Sequence, residues 1–70
     1  MNNEQKLYDY QVRVCWQLYH SNETHCRDEQ VKQVLNDAIA EEVAAGRAMD
    51  DLKKNSANVA QVWVREIKEV

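Results

Sequence analysis

Four side chains of metal-binding or nucleophilic type fall within twelve residues: Cys15, His20, His25 and Cys26. Thiolate and imidazole are the usual ligands of structural zinc, and a bound ion stabilises a small fold directly. The spacing argues the other way. A zinc knuckle wants a cysteine pair separated by two residues, and Val12 stands where the first of that pair would be. His25 and Cys26 are adjacent in the chain and poorly placed to hold one ion together. The expectation is loop histidines and free thiols, with no metal and no cofactor. A Cys/His nucleophile needs a positioned base and an oxyanion site as well. No motif for either is present, so the chain reads as a non-enzyme.

Other polar residues suggest recognition. Asp9, Gln11, Arg13, Cys15 and Gln17 alternate with Tyr8, Tyr10, Val12, Val14, Trp16 and Leu18. Gln11, Arg13 and Gln17 would stand on an open strand face and touch a partner. Asp37 and Glu41 belong to an acidic helix surface, a second candidate for a basic partner, although such surfaces also serve solubility alone. Glu42 falls inside the apolar arc of that helix. There it either reaches water through a bend near Gly46 or pairs across a dimer interface with Arg13 or Arg47.

These residues need elements to position them. Six apolar residues at period two, most of them aromatic or β-branched, predict a strand over about 7–19. His20 to Cys26 reads as a loop. Arg27 to Lys54 is rich in Ala, Glu, Gln, Lys and Leu, acidic at its start and basic at its end, which predicts one long helix. Thr24 or Asp28 would cap it. Asn55, Ser56 and Asn58 mark a turn. Val59 to Val70 fits a helical arc, but Val62-Trp63-Val64 is β-type and apolar on both sides, which favours a strand over about 60–68.

The fold class is therefore α+β: strand, long helix, strand, in two layers. The alternatives are a strand followed by two helices, or a mainly α chain. Two strands and one helix make a poor independent unit. A homodimer sharing a four-stranded sheet is expected, with Val62, Trp63, Val64 and Glu42 at its interface. If the two strands of one chain are neighbours, the helical return makes them parallel. Strand then helices in a dimer resembles the ribbon-helix-helix architecture of small repressors. The resemblance rests on Gln11, Arg13 and gross order, and it implies base reading by the first strand.

Seventy residues with one glycine, no proline and two cysteines allow one domain, over 1–70, with a frayed start at 1–6. A net charge of −3 argues against duplex DNA or an anionic membrane as the main partner. The longest unbroken apolar run is three residues, too short for a membrane span. No charged-then-apolar leader is visible, so the expected location is cytoplasmic, where a disulfide is not the expected device. The expected function is a small non-catalytic protein-binding module, an adaptor or an inhibitor of the kind that phages and mobile elements encode. The DNA-binding repressor is the alternative.

Overall fold

The computed structural model describes residues 5–70. Its elements run β1 (Tyr8–Leu18), β2 (Thr24–Val34), α1 (Asp37–Lys54) and β3 (Val59–Glu69). The strands form one antiparallel sheet in the order β2-β1-β3, and α1 packs against it. The class is α+β in two layers. Part of the expected frayed start, residues 1–4, lies outside the described residues; Gln5, Lys6 and Leu7 precede the sheet and are exposed.

β1 is the middle strand because its alternation gives it a face for the helix. Tyr10, Val12 and Val14 are buried under α1, together with Val31 of β2. The helix meets them with Ala40, Ala44 and Ala48, one residue per turn, all buried. Small side chains let the helix axis lie close to the sheet. Val43 of α1 and Val62, Val64 and Ile67 of β3 pack around this centre. Among the described residues, the largest fully buried side chains are three valines and a cysteine, so the core is thin.

The helix is shorter than the sequence suggests. It begins at Asp37, and residues 24–34 are a third strand. Tertiary pairing overrides the helical propensity of Arg27, Asp28, Glu29, Gln30 and Lys32. β2 alternates in the sheet: His25, Arg27 and Glu29 are half-buried on the helix side, while Thr24, Cys26, Asp28 and Gln30 are exposed on the other. Neither Thr24 nor Asp28 is the cap. The Asn36 side chain accepts from the Ile39 amide at 3.0 Å, and Asp37 follows in the first turn. Because β2 adds one reversal of direction, β1 and β3 are antiparallel neighbours, which corrects the parallel expectation. The sheet has three strands within one chain, so the copy-sharing that a two-stranded sheet requires is not forced by strand number.

The loop between β1 and β2 closes tightly. The Ser21 amide donates to the Leu18 carbonyl, and the Tyr19 amide donates to the Asn58 carbonyl, tying the loop to the start of β3. The helix ends in a Schellman motif. The Ser56 amide donates to Lys53, the Ala57 amide donates to Leu52, and Ser56 itself has φ 56°. Among the described residues no helix is long and apolar enough to cross a membrane.

The one glycine of the chain and the left-handed cap are in different places. Gly46 sits inside α1, where an added Cβ would meet nothing within 4 Å. Ser56 holds the positive φ that glycine tolerates best. Gly46→Ala and Ser56→Gly should each raise stability by about 0.5–1 kcal/mol, read from the urea midpoint. A lower midpoint for either variant would contradict this packing.

Candidate functional site

The face of the sheet opposite α1 carries Gln11, Arg13, Cys15 and Gln17 of β1. Register places Thr24, Cys26 and Asp28 beside them on β2, and Gln61, Trp63 and Glu66 on β3. No element among the described residues covers this face. Alternation along β1 creates it: the residues of one parity go under the helix, so the others must face outward.

Three rows of side chains cross the face. In the first, the Gln61 amide donates to Gln17 Oε1 at 2.7 Å, and the Gln17 amide donates to Thr24 Oγ1 at 3.1 Å. In the third, Arg13 donates through Nε to Asp28 Oδ1 at 3.0 Å and lies 3.9 Å from Glu66, while Gln11 donates to Asp28 Oδ2. The middle row is Trp63, Cys15 and Cys26. Cys15 and Cys26 are direct cross-strand partners, with Cα atoms 4.0 Å apart and their sulfurs joined in a disulfide. Cys15 is fully buried between its neighbours although it points away from the helix. Trp63 is half-buried and stands opposite it.

The disulfide corrects the expectation of free thiols. Cysteines eleven residues apart are brought together only because β2 is a strand folded back along β1. The four candidate metal ligands are not assembled. The two sulfurs are bonded to each other, and His20 lies in the β1–β2 turn at φ 67°. His25 stacks on Trp16 on the helix side of the sheet, with ring centroids 5.9 Å apart.

The two expected partner surfaces are on opposite sides of the molecule. Gln11, Arg13 and Gln17 share the helix-free face, whereas exposed Asp37 and half-buried Glu41 lie on α1. Glu42 is exposed, as the reading in which it reaches water expects, and not the buried member of an interface pair. The buried stripe is Ala40, Ala44 and Ala48, and Glu42 lies off that line. The Arg47 side chain donates instead to the Gln30 carbonyl at 2.7 Å. Val62 and Val64 pack against the core, whereas Trp63 belongs to the open face, and all three lie on an edge strand of the single chain.

One polar cluster has no counterpart in the sequence pattern. Arg27 donates to Asp51 at 2.7 Å and stands 2.6 Å from Glu29, joining β2 to the last turns of α1. Only the register of β2 reveals it. The arrangement is an ionic clamp between two elements.

The Arg13 hydrogen bond, aided by its charge, holds the Asp28 carboxyl below the ordinary aspartate value; partial desolvation opposes the shift. The stability this pair contributes is complete above the ordinary aspartate range and is lost as pH falls through the lowered value. Arg13→Ala should return the Asp28 titration, followed by carboxyl NMR, to the ordinary range. A midpoint unmoved by that change would contradict the pairing. Reducing the disulfide, which joins residues eleven apart in sequence, should cost about 3 kcal/mol on the chain-entropy account. Urea unfolding with and without a reductant measures it, and equal midpoints would contradict the bond. The chain matches no protein-family model, no curated protein and no solved structure.

Proposed function

We propose that this chain is a small non-catalytic protein-binding module, of adaptor or inhibitor type, that meets its partner with the helix-free face of the sheet. The observation that carries this reading is Trp63. It is a half-buried aromatic ring in the middle row of an uncovered face, outside the packed core, on the edge strand and diagonal to Arg13 and Gln17. Tryptophan and arginine are the side chains most enriched where protein interfaces concentrate their energy. The polar side chains around it are already held by cross-strand partners, so docking need not order them. The disulfide beside Trp63 ties the other two residues of that row together.

Duplex reading is less well supported. The guanidinium and amide that would meet base edges, on Arg13 and Gln11, both donate to Asp28. The order strand, strand, helix, strand also differs from a strand followed by two helices.

Selection of random twelve-residue peptides on the folded protein tests the reading, because an interface hot spot is where unrelated ligands converge. The selected peptides should lose about tenfold or more in affinity on Trp63→Ala and be unaffected by Glu42→Ala. Peptides that map to Asp37 and Glu41, or that ignore Trp63, would overturn it.

A further inference from the structure

The sheet has two free edges, and they differ. β2 carries Arg27, Asp28, Glu29 and Lys32 along its length, the charged pattern that guards an edge against pairing. β3 carries no charge from Val59 to Val64; Arg65, Glu66, Lys68 and Glu69 come only afterwards. Beside that uncharged half lies an apolar groove between the helix and the strand, lined by Ala45, Gly46, Met49, Val59, Ala60 and Val62.

Backbone geometry sets which groups of β3 are free. The 4.0 Å Cα separation of Cys15 and Cys26 marks a pair of the non-hydrogen-bonded kind. The Cys15 amide and carbonyl therefore turn the other way, toward Trp63, and those of Trp63 turn back to Cys15. One residue to either side, Val62 and Val64 aim their amides and carbonyls outward at the open edge.

We propose that a second copy of this chain pairs along β3, antiparallel, about a two-fold axis at Trp63, giving one continuous six-stranded sheet with both helices on the same face. In this register Val62 faces the partner's Val64 and exchanges backbone hydrogen bonds with it, twice by symmetry. Val59 faces the partner's Ile67, so apolar residues meet on the helix side. Opposite Val59–Val62 and under Met49, the groove receives the partner's Val64 and Ile67. Arg65 falls opposite the partner's Gln61 and Glu66 opposite the partner's Ala60, so no like charges meet. The thin core of one chain gives the association a physical reason, since small scaffolds commonly gain stability from a partner chain.

The pairing sets the two Trp63 rings side by side on the open face, in the closer, non-hydrogen-bonded kind of pair. The docking site would then be shared, with the partner's Trp63 completing it. That consequence rests on the docking role proposed for Trp63, whereas the pairing itself rests on β3 alone.

Light scattering over a range of concentrations, with amide exchange on the same samples, tests the proposal. The expected result is a dimer whose Val62 and Val64 amides exchange at least about tenfold more slowly than in diluted monomer. Met49→Glu, a change on the helix surface, should weaken the dimer by about tenfold or more and leave the circular dichroism of the monomer intact. A monomer at every concentration overturns the proposal, as does a dimer whose Val62 and Val64 amides exchange freely. If the chain is monomeric while selected peptides still map to Trp63, the pairing fails and the docking role survives. If a β3-paired dimer forms while the peptides bind elsewhere, the pairing stands and the docking role fails.

Discussion

Three alanines seated on two valines determine how this molecule is built. Ala40, Ala44 and Ala48 lie one turn apart and are buried over Val12 and Val14. A stripe so small draws the helix close, and the resulting core is shallow, with no leucine or isoleucine wholly buried among the described residues. Burial contributes to stability in proportion to area, so a shallow core leaves more of the work to other contacts. The disulfide between β1 and β2, the Arg27 clamp between β2 and α1, and the ladder of backbone bonds on both sides of β1 are those contacts.

The same shallowness explains which parts are legible in the sequence. β1 announces itself because six apolar residues alternate with polar ones, and β3 because Val62-Trp63-Val64 is β-type on both faces. The turn at Asn55–Asn58 also stands where its residues place it. β2 is hidden because its inward side chains include His25, Arg27 and Glu29, which are satisfied by stacking and ion pairs and carry no apolar signal. With β2 read as helix, Cys15 and Cys26 have no reason to meet, and the apolar arc of the longer helix takes in Glu42. Of the candidate site, Gln11, Arg13 and Gln17 are readable from alternation alone. The place of Trp63 beside Cys15 needs the register of β3, including the irregularity between Arg13 and Val14 that no local pattern reveals.

The two sides of the sheet differ in chemistry. The helix side carries most of the acidic groups and the ionic clamp. The opposite side is internally hydrogen-bonded and carries one aromatic ring on its edge strand, beside the disulfide row. A surface whose polar groups are already held in place loses little conformational freedom on binding. The bond that pins β2 to β1 lies in the same row as Trp63.

The rest of the fold follows from β1 running between β2 and β3 with Cys15 flanked by Cys26 and Trp63. Nuclear Overhauser contacts in isotope-labelled protein test it most directly. The expected result is a strong contact between the α-protons of Cys15 and Cys26, contacts from β1 amides to both neighbours, and extended sequential contacts from Thr24 to Val34. Successive amide-to-amide contacts through Arg27–Val34, the mark of a helix, would contradict it.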